Sequence, residues 1–340
     1  MGAQTQLEQD LKQAVEQQDW ARAIEIVDQM IEADPGQEAQ LRSYREQLLE
    51  LSGSSPAPTS TPEVSGSIQP ISPISFQNGE KAAADVNLLF IGNSHTYFNE
   101  LDQMVANLME SLDSEQKVLA VRYAPSGYTF GNHQADYNTE GTAIRNWLLT
   151  RPDSTPDWDL VVLQPQSQIT GFAPSQQKNL EQKRAAFTLH QQITRLGART
   201  MLLMTWGYAE GDSGNPNIYP DYLAMQDRLN QGFLALRSTL AEIREPVLAP
   251  VGPAFELVYE DLKKQRQDPL AENSRFRQLY APDNYHPSLA GSYLAASTVT
   301  ALFTDRSVAE ASWVPDGLDP ESAAYLRQVA DRAVNQPEWR

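Results

Sequence analysis

The sequence contains no cysteine, which excludes disulfide bonds, thiolate nucleophiles and thiolate metal sites. Histidine is scarce, with four residues in 340. Basic residues are in the minority, since 26 Lys and Arg stand against 44 Asp and Glu and give a formal net charge of −18. Because an acidic chain repels phosphate backbones and anionic lipid surfaces, neither nucleic acid nor a membrane is an expected partner.

Long apolar runs are also missing. No stretch of about 18 apolar residues occurs, so no membrane-spanning helix is expected. Residues 1–6 (MGAQTQ) carry no basic segment followed by an apolar one, so no signal peptide is predicted. The native compartment is left open by the sequence, with the cytoplasm as the default expectation.

Residues 5–51 show three apolar stripes at helical spacing, with a break at the Asp-Pro-Gly of 34–36. Residues 11–35 resemble one tetratricopeptide repeat, and the resemblance is carried by four positions: Ala14, Trp20, Ala23 and Pro35. A solenoid needs about three repeats or more to bury a continuous core. The segment is therefore expected to be a small helical hairpin that packs on itself or on a neighbour, or a docking module for a protein partner.

Residues 53–74 hold five prolines and six serines, and Glu63 is their one charged residue. Such a composition buries too little apolar surface to fold, which indicates an extended linker. The expected organisation is a helical hairpin over 1–52, a linker over 53–80 and an α/β domain over 81–340. Deleting residues 1–75 is then expected to leave a folded, active domain.

Strand and helix patterns alternate after residue 85. The apolar runs 86–91, 118–123, 160–163, 200–205 and 247–251 predict five strands, with helices between them over ranges that include 97–112, 175–196 and 220–243. Apolar strands that alternate with helices predict a parallel sheet covered on both faces. Sites in such sheets form at the carboxyl ends of the strands.

Ser94 follows the first predicted strand in the turn Gly92-Asn93-Ser94. A serine at such a turn can be an ordinary helix N-cap, or a nucleophile whose backbone N–H helps to bind an oxyanion. Asp283 lies three residues before His286 near the other end of the chain. A carboxylate there can accept a hydrogen bond from the imidazole Nδ1, leaving Nε2 to take a proton from a serine.

Together these residues resemble the blocks of the SGNH (GDSL-like) hydrolase superfamily over about residues 85–305. The resemblance implies a flavodoxin-like three-layer α/β sandwich and a Ser94, His286 and Asp283 triad, with no cofactor. Asn93 stands where the family usually has aspartate. The family's second block supplies an oxyanion-hole glycine, which Gly127 matches, with Gly131 as the alternative.

The third block departs most from the family pattern. The family shows Gly-x-Asn-Asp after the third strand, whereas this chain has Gln164-Pro165-Gln166 there. Either glutamine amide could replace the asparagine as oxyanion donor beside the backbone N–H groups of Ser94 and Gly127. The alternative is that both glutamines are polar residues of a surface loop.

The resemblance implies a serine esterase that hydrolyses short acyl esters, with O-acetyl groups on carbohydrate as candidates and either water or a sugar hydroxyl as acceptor. The alternative is a catalytically silent α/β interaction protein that docks through its helical hairpin. Trp206 and Tyr208 follow the fourth strand and could stack on a sugar or pack beneath a loop. His133, Glu210 and Asp212 form no metal spacing, so no metal is predicted, and the two acids are expected in a solvated loop.

Overall fold

The computed structural model describes residues 2–17, 19–33, 38–52, 84–149 and 157–339. The chain divides into two compact units. The first unit comprises Met1–Gln77 together with Ala281–Tyr285, and the second unit comprises Asn78–Tyr280 together with His286–Arg340. The predicted linker over 53–80 lies outside the described residues, and the sequence-based domain boundaries stay a prediction.

The first unit contains three described helices: α1 (Gly2–Glu16), α2 (Trp20–Ala33) and α3 (Glu38–Leu51). The middle helix packs against both of the others. The buried side chains repeat at helical spacing, as the apolar stripes predict, and they are Leu11, Ala14, Val15, Ala23, Ile26, Val27, Met30, Leu41, Tyr44 and Leu48. The likeness to a tetratricopeptide repeat stays a prediction.

The second unit is built on one parallel sheet. Its strands are β1 (Val86–Ile91), β2 (Val118–Tyr123), β3 (Leu160–Leu163), β4 (Arg199–Leu203) and β5 (Val247–Ala249). They lie side by side in the order β2-β1-β3-β4-β5, which is the flavodoxin-like order. The predicted α/β class with a parallel sheet is therefore confirmed. The last two strands end earlier than the apolar runs suggested.

Helices cover both faces of this sheet. They are α4 (Ser94–Tyr97), α5 (Leu101–Leu112), α6 (Phe130–Asn138), α7 (Ala143–Leu148), α8 (Gln177–Arg195), α9 (Tyr222–Leu240), α10 (Val251–Lys264), α11 (Leu289–Thr304) and α12 (Pro320–Val334). Leu88 and Phe90 pack in one core with α5, α10, α11 and α12. The alternate residues Leu89 and Ile91 are fully buried too, because successive side chains of a strand point to opposite faces.

The single helix predicted over 97–112 is divided in the structure. A 3₁₀ turn, Phe98–Glu100, separates α4 from α5. Asn99 and Glu100 have φ of 56° and 53° there, and this left-handed backbone interrupts a helix. Apolar periodicity continues across the break, so the sequence pattern does not reveal it.

The order of strands reverses between β1 and β3, and a crevice forms at such a point at the carboxyl ends of the strands. Ile91 pairs with Tyr123 on one side and with Leu163 on the other. The segments that follow β1, β2 and β3 therefore start level with one another at one edge of the sheet. Within the described residues, no helix combines the length and apolar content needed to cross a bilayer.

Candidate active site

Ser94 is the first residue of α4, directly after the turn that ends β1. The N-cap residue is Asn93, whose Oδ1 accepts a hydrogen bond from the His95 backbone N–H at 3.1 Å. The Asn93 Nδ2 donates to the Tyr128 carbonyl at 3.0 Å. An aspartate could accept the first hydrogen bond but could not donate the second. Asparagine thus fastens the serine turn to the loop that carries Gly127.

Gly92 has no side chain, which allows Thr96 and Gln164 to pack closely against the serine turn. A Cβ at this position would lie 2.3 Å from the Thr96 Oγ1 and 2.6 Å from the Gln164 Oε1. The Gly92 carbonyl lies 2.8 Å from the Nε2 of His133, a fully buried residue. Burial lowers the pKa of His133 to about 4, so its imidazole is neutral near pH 7 and Nε2 donates to the carbonyl. The backbone before Ser94 is therefore held from two sides.

The structure brings Ser94 and His286 together across 192 positions of sequence, with the Nε2 of His286 2.8 Å from the Ser94 Oγ. Both residues are buried, with 3% and 1% of their surface exposed. The Phe98 ring stacks on the His286 imidazole with centroids 4.2 Å apart and planes 4° apart. This ring fixes the plane of the imidazole, and no signal in the sequence identified it.

Asp283 belongs to the first unit, and none of its surface is exposed. Its Oδ1 accepts a hydrogen bond from the Tyr285 backbone N–H at 3.0 Å. Its Oδ2 accepts a hydrogen bond from the Tyr44 hydroxyl at 2.5 Å. The sequence predicted a role for Asp283 beside His286 and gave no indication of Tyr44.

The two candidate glutamines have different surroundings. Gln164 is buried, and its Oε1 accepts hydrogen bonds from the Asn93 backbone N–H and the Thr96 hydroxyl, each at 2.9 Å. Its Nε2 donates to the Pro165 carbonyl. Gln164 is thus a brace between the end of β3 and the serine turn.

Gln166 has its carboxamide oxygen turned to its own loop, where it accepts from the backbone N–H groups of Gln168 and Ile169 at 2.8 and 3.1 Å. Its Nε2 donates to the Gln168 Oε1 at 3.2 Å. Gln166 and Gly127 line one cavity of about 310 Å³. The rest of its lining is mixed, with the polar Thr129, Gln168, Lys178 and Glu181 beside the apolar Ile169 and Phe172, and it includes neither Ser94 nor His286.

The residues after β4 differ in part from expectation. Trp206 and Tyr208 are buried, with 0% and 1% exposed, and Trp206 stacks on Phe255 with centroids 4.6 Å apart. They pack beneath the surface, the second of the two alternatives. The expectation of a solvated loop is wrong for Asp212, which is 1% exposed and accepts a hydrogen bond from the Gln168 Nε2 at 2.7 Å.

Among the described residues, no three acidic or histidine side chains lie close enough together to hold a metal ion.

Comparison with solved structures finds similarity of fold. A DUF4886 family protein from Bacteroides uniformis matches with a TM-score of 0.55 and 17% identity, over 74% of this chain and 96% of that chain. A candidate SGNH hydrolase from Slackia heliotrinireducens matches with a TM-score of 0.47 and 23% identity, over 63% and 97%. A catalytic mutant of Axe2, an acetylxylan esterase from Geobacillus stearothermophilus, matches with a TM-score of 0.44 and 18% identity. This match covers 69% of this chain and 98% of that chain.

No protein-family model matches the chain, and a comparison with curated proteins gives no match. The second unit has the fold that the SGNH hydrolase resemblance implies, a parallel five-stranded sheet of order β2-β1-β3-β4-β5 between helices.

Proposed function

We propose that the protein is a serine esterase that hydrolyses short-chain acyl esters, with O-acetyl groups on carbohydrate as its substrates. The observation that carries the proposal is the 2.8 Å approach of the His286 Nε2 to the Ser94 Oγ. A serine hydroxyl within hydrogen-bond reach of an imidazole is the minimal arrangement for nucleophilic acyl transfer. The position of Ser94 directly after β1 also supports the proposal, because sheets of this type carry their sites at the carboxyl ends of the strands.

In the proposed reaction, the Ser94 Oγ attacks the ester carbonyl carbon while the neutral His286 takes the hydroxyl proton on Nε2. The tetrahedral intermediate then expels the alcohol, which receives that proton, and an acyl-enzyme is left on Ser94. Water attacks the acyl-enzyme with His286 again acting as base, and the carboxylic acid and free serine are released. Asp283, three residues before His286, is proposed to hold the imidazole in the Nδ1–H tautomer.

The proposed oxyanion donors are the backbone N–H groups of Ser94 and Gly127 and the amide of Gln166. Gln166 is preferred to Gln164 because Gln166 lines the same cavity as Gly127, whereas the carboxamide of Gln164 braces the serine turn. A carboxamide nitrogen has two hydrogens. One hydrogen of the Gln166 Nε2 goes to the Gln168 Oε1, and the other is proposed to meet the oxyanion.

We assign the alcohol portion of the ester to the cavity lined by Gly127 and Gln166, because both residues are proposed oxyanion donors. The lining includes Gln168, Lys178 and Glu181, whose side chains supply both hydrogen-bond donors and hydrogen-bond acceptors. An alcohol rich in hydroxyl groups can pair with such a lining, while a long acyl chain or lipid would leave these groups unpaired at a cost. This complementarity favours a carbohydrate ester over a lipid ester.

The test compares acetate release from O-acetylated oligosaccharides with hydrolysis of aryl acetate, butyrate and octanoate. The expected result is turnover of acetylated sugar and of short aryl esters, falling steeply with acyl length, and no turnover by Ser94→Ala. Equal turnover by wild type and Ser94→Ala would remove the proposal, and a preference for octanoate would overturn the choice of substrate.

A further inference from the structure

The first unit contains a hydrogen bond that the proposed triad does not explain. The Tyr44 hydroxyl donates to the Asp283 Oδ2 at 2.5 Å, although the two residues are 239 positions apart. Both side chains are buried, with 2% and 0% exposed. A tyrosine from the N-terminal helices thus belongs to the same compact unit as the candidate catalytic acid.

We infer that Tyr44 is a positioning residue for catalysis, which holds the Asp283 carboxylate in its ionised form and in one orientation. The inference rests on the proposed function, because it gives Tyr44 its role through Asp283. It also assigns the N-terminal helices a part in catalysis, in place of the separate docking role considered from the sequence. On this inference, deleting residues 1–75 removes Tyr44 and should lower activity, contrary to the expectation from the sequence.

The donors to the carboxylate carry the argument about charge. Among the contacts of Asp283, Oδ1 accepts a hydrogen bond from the Tyr285 backbone N–H and Oδ2 accepts one from the Tyr44 hydroxyl. A buried carboxylate needs such donors to stay ionised. The Tyr285 N–H and the Tyr44 hydroxyl are neutral groups, so these two donors stabilise the negative charge without cancelling it. The charge then stays available to stabilise an imidazolium.

Tyr44 keeps its proton over the working pH range. Burial raises the pKa of Tyr44 well above 10, and the charge of Asp283, the hydrogen bond to it and Tyr285 raise it further. The hydroxyl is therefore a permanent donor rather than a second titrating group. Any change of pH profile on removing it must arise from its effect on other groups.

The packing of α3 holds the Tyr44 ring in place. Leu41, Tyr44 and Leu48 form the buried stripe of this helix, which packs against α2. On a partly exposed face, the Arg45 guanidinium binds the Asp28 carboxylate at 2.5 and 3.1 Å. The same helix thus offers Tyr44, which contacts Asp283, and the neighbouring Arg45, which forms an ion pair with Asp28 of α2.

Tyr44→Phe tests the inference, because it removes the hydroxyl and keeps the ring. Losing a donor raises the proton affinity of the carboxylate, so Asp283 protonates at higher pH and holds an imidazolium proton more tightly when ionised. Both effects move the acidic limb of kcat/KM to higher pH. We expect kcat at pH 6 to fall about tenfold with KM unchanged, while the thermal midpoint moves little.

Arg45→Gln is the matched control. It breaks the ion pair between the helices, so it reports the effect of loosening them, and it should leave the acidic limb where the wild type has it. An equal displacement of the limb in both variants would show that Tyr44 has only a structural role.

A double-mutant cycle with Asp283→Asn separates this inference from the proposed function. If Tyr44 acts through Asp283, Tyr44→Phe should have little further effect on kcat in the Asp283→Asn background. A large loss in Asp283→Asn with none in Tyr44→Phe overturns the inference alone. Wild-type activity in Asp283→Asn overturns the triad itself.

Discussion

The rings of Phe98 and His286 lie face to face, with centroids 4.2 Å apart and planes 4° apart. Phe98 lies in the 3₁₀ turn that follows α4, the helix that begins with Ser94. One short stretch of chain therefore carries both the candidate nucleophile and the surface against which its base is held. An imidazole that could rotate would lose the alignment of its Nε2 with the serine hydroxyl.

Phe98→Leu should lower kcat about tenfold with KM nearly unchanged, because leucine fills much of the space without a flat face. The matched control is Phe233→Leu, a substitution of another fully buried phenylalanine, in α9. It should lose comparable stability while keeping wild-type kcat per folded molecule. Similar values of kcat in the two variants would show that the stacked ring has no role in activity.

Gly127→Ala should reduce kcat about tenfold through the position of the backbone N–H. Gly127 has φ of 67°, and a side chain in this left-handed region costs about 1 kcal/mol or more, so the loop is expected to shift. Gly131→Ala is the control, since Gly131 lies within α6 and a Cβ there would be 3.4 Å from the Thr129 Oγ1. If only Gly131→Ala impairs turnover, the alternative glycine is the oxyanion donor.

Substitution of Gln166 should affect mainly kcat, whereas substitution of Gln164 should affect mainly the free energy of unfolding. Gln166→Ala should lower kcat by about 10²-fold or more with a small change in unfolding free energy, as expected for loss of an oxyanion donor. Gln164→Ala should lower the unfolding free energy by about 1–3 kcal/mol, because the buried donors of Asn93 and Thr96 lose their acceptor. Steady-state kinetics and denaturant unfolding on both variants check the assignment, and the reverse pattern would exchange the two roles.

Much of the fold could be predicted because apolar runs and helical periodicity are local. β1, β2 and β3 have the predicted bounds, and parallel pairing follows from strands that alternate with helices. The break at Asn99 and Glu100 could not be predicted, because left-handed backbone in non-glycine residues leaves no periodic signal. The end of β4 was misplaced because the apolar run continues beyond the paired residues.

The approach of His286 to Ser94 could be anticipated from the sequence. Ser94 was proposed as the nucleophile because it follows a strand-end turn, and His286 was proposed as the base because of its spacing from Asp283. The sequence did not separate Gln164 from Gln166, since the two residues are of the same type and only Pro165 lies between them. The contacts of Phe98 and Tyr44 depend on packing between segments far apart in the chain, and a single sequence carries no record of these distances.

Stability should depend on His133 below neutral pH. Burial lowers the pKa of His133 from 6.5 to about 4, so the unfolded chain binds the proton at a higher pH than the folded one. The stability that neutral His133 confers is present above about pH 6.5 and is lost as pH falls towards about 4, where the loss reaches about 3 kcal/mol. His133→Gln keeps an amide donor for the Gly92 carbonyl and removes the titration.

Denaturant unfolding of wild type and His133→Gln from pH 7 to pH 4 measures this dependence. The unfolding free energy of the wild type should fall more steeply with decreasing pH than that of the variant. The difference between the two slopes should correspond to at most one additional proton taken up on unfolding. Parallel curves would mean that His133 titrates alike in the folded and unfolded chain.

The central claim, that His286 activates Ser94 for attack on an acyl centre, is tested most directly by labelling with a fluorophosphonate reagent. Peptide mapping by mass spectrometry should find one label per chain, on Ser94. Ser94→Ala should take up no label, and His286→Ala should be labelled at least about 10³-fold more slowly. Labelling of another residue with Ser94 unmodified, or an unchanged rate in His286→Ala, would contradict the account.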